Sequence, residues 1–304
     1  MKLAIVIPYF KLNFFESTLD SLAIQTDNRF KVYIGNDYSP DDPKPLLEKY
    51  KGILKFQYVE FENNLGKKSL VKQWERCIAE VHDEDWIVIL GDDDVLSKNC
   101  IEDFYENLEE IEKQQINIIR FATRVINEND EVLTDVYTHP KIESSIDFLF
   151  RKLKGGTRSS LSEYVFRKKD ILSIGFKNFP LAWHSDDLAV LEFSKFKSIY
   201  TILSSVVSVR LSSINISGKR DNMKIKNVST FNYYLYLLQK KASFFNKNQK
   251  DLLYSRLEKS FMNDKKNIYF WIKLTALYFS KFQIKRYILL LFHSLVIVIF
   301  KTTR

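Results

Sequence analysis

Cysteine is nearly missing: the 304-residue chain has two, Cys77 and Cys100, both in segments with helical spacing. That argues against a disulfide framework and for a reducing compartment. Nor is there an apolar stretch of the roughly 20 residues that a membrane-spanning helix needs. The run from Tyr287 to Phe300 stops at fourteen residues, a length suited to lying in a membrane interface. A cleavable leader is not expected, because Leu3-Ala4-Ile5-Val6-Ile7 is cut off by Pro8 and no small-residue cleavage site follows. Arginine-glycine tracts, zinc-ligand spacings and RNA-recognition signatures are missing too. Lysines are spread along the chain rather than gathered on one helix, so nucleic acid is not an expected partner despite a net charge of +8. Anionic lipid and phosphorylated small molecules remain as partners for that charge.

What is present is the composition of a folded protein, 45% hydrophobic and 28% charged, in a chain long enough for one large α/β domain and an appendage. Residues 3–7 form a short β-branched apolar run, the pattern of a strand buried on both faces. Phe14 to Ala23 has helical spacing, and a second strand at 31–35 ends in the polar, proline-containing stretch Asn36 to Pro43. The alternation repeats with a strand at 54–61, a helix at 69–81, a strand at 86–90, a helix at 99–112 and a strand at 116–123. Such alternation predicts a mostly parallel sheet with helices on both faces, and a ligand at the carboxyl ends of the strands. Beyond it, strands are expected near 131–137, 163–166 and 205–211 and a helix at 146–153. After Gly218 the chain turns to lysine-rich aromatic helices, which sets a domain boundary between 1–217 and 218–304.

Three carboxylates, Asp92, Asp93 and Asp94, follow Gly91 at the end of an apolar strand. Side by side they repel one another unless a cation neutralises them, and oxygen ligands of this kind suit Mg²⁺ or Mn²⁺ with positions left for phosphate oxygens. A solvated turn capping the next helix is the competing explanation. Asp37 ends an earlier strand, and a doubly wound sheet brings it to the same rim, where its carboxylate can accept from a base N–H or a ribose hydroxyl. Locally it is equally suited to an Asx-turn before Pro40. A third acidic pair, Asp186-Asp187, opens a helix after His184 and Ser185, where acidic first-turn residues are also ordinary.

Taken in order, Val6-Ile7-Pro8-Tyr9, Ile34-Gly35-Asn36-Asp37-Tyr38-Ser39, Ile89-Leu90-Gly91-Asp92-Asp93-Asp94 and Ser185-Asp186-Asp187 resemble family 2 of the glycosyltransferases over about residues 1–217. The resemblance implies the GT-A fold, a Rossmann-like, mostly parallel mixed sheet flanked by helices, here with a C-terminal helical appendage. It implies inversion at the anomeric carbon of a nucleotide-diphosphate sugar. In that family the opening segment contacts the nucleotide, which falls on Pro8 and Tyr9, and the base-binding aspartate matches Asp37. The metal motif matches Gly91-Asp92-Asp93 and continues in Asp94. Because Gly91 replaces its first aspartate, Asp93 and Asp94 are the expected metal and nucleotide ligands, with Asp92 behind them. The family's catalytic pair matches Asp186 and Asp187, one of which is expected to take the acceptor's proton. A metal-binding histidine found in relatives is replaced by Arg210-Leu211-Ser212, with His184 as a substitute candidate. Lys68, with Lys67 and Arg76, is a candidate near the diphosphate, and Trp183 an acceptor platform.

The lysine-rich helices after Tyr233, and above all 287–300, fit attachment to an anionic membrane surface. By family analogy this predicts a cytoplasmic enzyme, held peripherally at the inner face of the cell membrane, that acts on a glycan or lipid-linked glycan acceptor in bacterial capsular, O-antigen or exopolysaccharide assembly. The alternative is a catalytically silent nucleotide-sugar or glycan-binding protein of the same fold, suggested by Gly91 and the missing histidine. A nucleotidyltransferase is disfavoured, since no glycine-rich, lysine-containing phosphate loop follows the first strand.

Overall fold

A computed structural model describes residues 1–302. In chain order its first half comprises β1 (Leu3–Tyr9), α1 (Phe15–Ala23), β2 (Phe30–Asn36), α2 (Lys44–Glu48), β3 (Phe56–Glu60), α3 (Leu70–Ala79), β4 (Trp86–Ile89), β5 (Val95–Leu96) and α4 (Cys100–Lys113). There follow β6 (Ile118–Ile126), β7 (Ile142–Ser144), α5 (Ser145–Leu153), β8 (Tyr164–Arg167), α6 (Lys168–Ile174), α7 (Ser185–Phe193) and β9 (Ser198–Arg210). Four helices close the chain: α8 (Met223–Lys240), α9 (Lys247–Asn263), α10 (Ile268–Ser280) and α11 (Ile284–Thr302).

The nine strands form one sheet in the order β3-β2-β1-β4-β8-β6-β9-β5, with β7 added on β9. β1 pairs in parallel with both β2 and β4, while β8 is antiparallel to its two neighbours. Strand order therefore reverses at β1, and the rim beyond β1, β2 and β4 is the switch point where open α/β sheets bind ligands. The core explains the apolar runs. Leu3, Ile5, Ile7 and Tyr9 of β1 pack with Phe15, Leu19 and Leu22 of α1 and with Trp86 and Phe104. On α3, Ser69 caps the first turn by accepting from the Lys72 amide (3.2 Å). Gly35 lets this helix sit close, since a Cβ there would lie 2.3 Å from Cys77 Sγ.

The expected architecture is thus present, a mostly parallel mixed sheet flanked by helices with a helical C-terminal region. Two local expectations change. Residues 131–137 form only isolated bridges, Thr123 to Tyr137 and Ile126 to Val132. β9 starts at Ser198, well before 205, because a register shift between Phe121 and Ala122 on its partner interrupts the pattern that would have revealed its first half.

The chain divides into two compact units, one comprising Met1–Asn178 and Ser185–Lys219, the other Phe179–His184 and Arg220–Arg304. The second unit has its own core, with Phe231 stacked on Phe270 at 3.9 Å and Leu253, Leu257, Phe261 and Leu274 buried around it. Arg286 ties α11 to α9 through Glu258 (2.6 Å) and Asp251 (3.0 Å). Among the described residues no helix is long and apolar enough to cross a membrane.

Candidate active site

Three loops meet at the rim. Asn36 donates to Tyr58 Oη (2.8 Å) and accepts from the Ser39 amide (2.8 Å), turning the chain after β2. Asp37 is buried and accepts from the amides of Leu65 (2.7 Å) and Gly66 (2.9 Å), with the Arg76 guanidinium paired to its Oδ1. Burial raises its pKa, while the amides and Arg76 oppose the rise. Gly66 is required here, because a Cβ would stand 2.4 Å from Asp37 Oδ2. Asp37 thus folds the loop that carries Lys67 and Lys68, both exposed, and engages the Arg76 that had been a candidate for the diphosphate.

Tyr9 is 0% exposed, packs on Phe15 and donates to the Asp41 carbonyl (3.0 Å). Burial pushes its phenol up to about 12. Its ring therefore faces the core rather than a nucleotide. What this segment brings to the rim is half-buried Pro8 and the Tyr9 carbonyl, which accepts from the Asp37 amide (3.0 Å).

The acidic cluster divides its labour. Asp92 Oδ2 accepts from the amides of Phe10 and Lys11 (2.8 Å each) and so clamps the loop after β1. Asp94 is buried, with Oδ1 receiving the Arg210 amide (2.9 Å) and Oδ2 the Ser162 hydroxyl (2.5 Å). Asp93 Oδ2 receives Asn215 Nδ2 (3.3 Å), and among the described residues no other side chain donates to this carboxylate. Burial raises all three pKa values; the negative charge of Asp93 adds to the rise at Asp92 and Asp94. Gly91 is sterically tied to this arrangement, as a Cβ would lie 2.9 Å from Asp93 Oδ1 and 3.0 Å from Asp94 Oδ2. The space an aspartate would need at 91 is filled by the carboxylates that follow it.

Arg210, where the family resemblance led to an expected histidine, has a fully buried side chain under the cluster. Nε donates to the Asp93 carbonyl (2.9 Å), Nη1 to the Asn127 carbonyl (2.8 Å) and Nη2 to Asp130 (2.6 Å). Its charge and that of Lys11 oppose the rise at Asp93. No group of three His, Cys, Asp or Glu among the described residues converges as a metal site. The donor set, the Asp93 carboxylate with one oxygen held by Asn215 beside the engaged Asp94, fits a cation that fills most of its shell with water and substrate phosphates, as Mg²⁺ does.

Asp186 and Asp187 occupy the first turn of α7, and Asp187 is ion-paired with Lys152 at the end of α5. Just upstream, Leu181, Ala182 and His184 adopt left-handed φ of 58°, 53° and 72°, unusual for residues with side chains. His184 belongs to the helical unit, where its ring stacks on Tyr233 at 4.7 Å and Nε2 meets Thr230 Oγ1 at 3.0 Å. Half-buried Trp183 lies there too, under the Lys226 ammonium at 4.7 Å. The roles of Arg210, Ser162, Asn215 and Lys152 escaped the sequence reading, because a polar side chain's partner 35 to 122 positions away leaves no local pattern.

Fold and rim together define a GT-A-type transferase architecture. Residues 4–166 match the model of Glycosyl transferase family 2, more than half of the chain, and the chain belongs to that family. No curated protein sequence matches it. Among solved structures it is similar to S. aureus TarS 1–349 in complex with UDP-GlcNAc, with a TM-score of 0.63 and 16% identity over 88% of this chain and 74% of that one. It is also similar to S. aureus TarS 1–349 determined alone, at a TM-score of 0.60 and 14% identity over 87% and 72%. A third is GalNAc-T7 with UDP, GalNAc and Mn²⁺, at a TM-score of 0.52 and 10% identity over 88% and 57%. At these identities the likeness establishes the fold. The family match ends before Asp186 and Asp187.

Proposed function

We propose that this chain transfers a sugar from a nucleotide-diphosphate sugar to an acceptor hydroxyl with inversion. The observation that carries the reading is Asp93 at the rim after β4, its carbonyl held by Arg210 and one carboxylate oxygen by Asn215, with Asp37 folding the loop after β2. Asp93, with Asp94, would hold Mn²⁺ or Mg²⁺, which when bound neutralises the donor's diphosphate. Pro8, Tyr9, Asp37, Asp92 and Lys68 line the nucleotide side, Tyr9 and Asp92 through the loop they shape. One of Asp186 and Asp187 takes the proton of the acceptor hydroxyl as its oxygen bonds the anomeric carbon. The bond from that carbon to the diphosphate breaks, and its electron pair leaves with the nucleoside diphosphate. The ligands of TarS and GalNAc-T7 make UDP sugars the first donors to test.

In this reading 1–217 is the transferase domain, and 218–304 is a basic helical region whose tail, 287–300, holds the enzyme peripherally to the cytoplasmic face of the membrane. The acceptor is then a glycan or lipid-linked glycan of bacterial capsular, O-antigen or exopolysaccharide assembly. The test is thermal unfolding against nucleoside diphosphates and nucleotide sugars, with and without Mn²⁺. A ligand at 100 times its Kd stabilises by about 2.7 kcal/mol. The expected shift requires metal and is lost in Asp93→Ala. A silent binding protein is favoured by one observation, the use of both Asp92 and Asp94 in internal hydrogen bonds. It would show the shift without donor hydrolysis.

A further inference from the structure

The loop after β2 is pinned on both sides of Tyr38. The Asp37 amide donates to the Tyr9 carbonyl (3.0 Å), the Ser39 amide to Asn36 Oδ1 (2.8 Å), the Ser39 hydroxyl to the Phe10 carbonyl (2.7 Å) and the Asp41 amide to Ser39 Oγ (3.0 Å). Held between these bonds, Tyr38 has a φ of 56°, in the left-handed region that favours glycine. There a Cβ crowds the following carbonyl oxygen, which costs free energy. Packing of the ring does not offset that cost. It is 62% exposed, and among the described residues no aromatic ring, cation or hydrogen-bonding group pairs with it. Across Met1–Asn178 and Ser185–Lys219, all of them described, no other aromatic side chain is exposed. The fold alone would be served better by glycine at this place, and strain that the surroundings hold in position gathers at ligand sites. Tyr38 follows Asp37 at the carboxyl end of β2, on the rim assigned to the nucleotide. Tyr9, the aromatic residue that the family resemblance set against the nucleotide, has its ring in the core instead.

We propose that Tyr38 is the platform on which the base of the donor nucleotide stacks. The proposal rests on the transferase reading and deepens it by naming the residue that holds the base. Asp37 has little capacity left for that task, because the Leu65 and Gly66 amides and the Arg76 guanidinium already take three of the roughly four acceptor positions of its carboxylate. Stacking needs only a π-face, which every base presents, so Tyr38 supplies affinity whichever base the donor carries.

Calorimetric titration of the full-length chain with UDP, GDP, ADP, CDP and dTDP in the presence of Mn²⁺ tests this, together with the melting temperature of the nucleotide-free protein. Tyr38→Gly should weaken the nucleoside diphosphate that binds the wild type by about tenfold, the worth of one stacked base. Its melting temperature should be no lower than that of the wild type, because the left-handed strain is gone. A loss of binding without a loss of stability is what a merely structural tyrosine would not give. Tyr38→Ala and Tyr38→Leu keep the Cβ and lack the ring, and should bind as weakly as Tyr38→Gly. Tyr38→Phe should stay within about twofold of the wild type, since the π-face remains. Wild-type affinity in Tyr38→Gly overturns the proposal. So does affinity retained in Tyr38→Leu, which would make the contact apolar rather than stacked, or a binding loss in Tyr38→Gly that comes with a lowered melting temperature. If none of the five nucleoside diphosphates binds the wild type, the transferase reading itself fails and takes the proposal with it.

Discussion

Arg210 and His139 show how two buried residues answer different demands. Arg210 holds the backbone of Asp93 and the loop at 127–130 from a site without solvent. Removing one partner of such a set leaves desolvated groups unpaired, so Arg210→Met should cost about 3 kcal/mol in urea unfolding and abolish the metal-dependent donor shift. His139 is buried beside Arg120 and Arg151, with Nδ1 2.6 Å from Arg151 Nη2. Burial, then the two guanidinium charges, depress its pKa to about 3, against a smaller opposing effect of Glu143. The unfolded chain takes up a proton near pH 6.5 that the folded chain refuses. Stability from this group is therefore complete above pH 6.5 and falls as pH drops toward 3, by about 1.4 kcal/mol per unit once below 6.5. Chemical denaturation at pH 7 and pH 5.5 should show the loss, and His139→Gln should flatten it.

At the scale of elements, Gly35 and Cys77 set the approach of α3 to the sheet. Gly35→Ala pushes a methyl 2.3 Å from Cys77 Sγ and 2.9 Å from the Phe61 ring, an overpacking worth about 1–3 kcal/mol. Adding Cys77→Ala should return about half of it, and additive losses in the double mutant would show that the strain lies elsewhere. These are the elements the sequence makes plainest. β1, β2 and β4 are nearly continuous buried runs, and α3 and α4 bury one face at helical spacing, so the apolar pattern reveals them; the first half of β9 hides behind a bulge, and the two-residue β5 and three-residue β7 are too short to show a pattern. The site divides in the same way. Its carboxylates stand out because charged residues at strand ends break an apolar pattern. That Asp92 clamps Phe10 and Lys11, or that Arg210 lies under Asp93, depends on chain closure over 80 residues and more, which periodicity does not encode.

For the whole molecule, the helical unit poses a problem of apolar surface. Ile272, Leu289 and Phe292 on α10 and α11 are 61%, 63% and 64% exposed, and Phe282 in the turn between them is 90% exposed. No aspartate or glutamate occurs after Asp264, while Lys265, Lys273, Lys281 and Lys285 flank these side chains in sequence. Exposed apolar groups amid uncompensated positive charge match the headgroup boundary of an anionic bilayer, where rings enter the acyl edge and ammonium groups meet lipid phosphates. The full-length chain should therefore sediment with phosphatidylglycerol-containing vesicles, less with pure phosphatidylcholine, and be released by salt. Full burial of a phenylalanine is worth about 1.5–3 kcal/mol, so Phe282→Ser should weaken vesicle partitioning by about tenfold, with thermal stability unchanged because the ring packs on little. Equal binding to neutral vesicles would remove the electrostatic part of the argument. A chain that ignores vesicles but self-associates, and becomes monomeric in Phe282→Ser, would assign the same surface to a second copy and leave the acceptor without its proposed membrane.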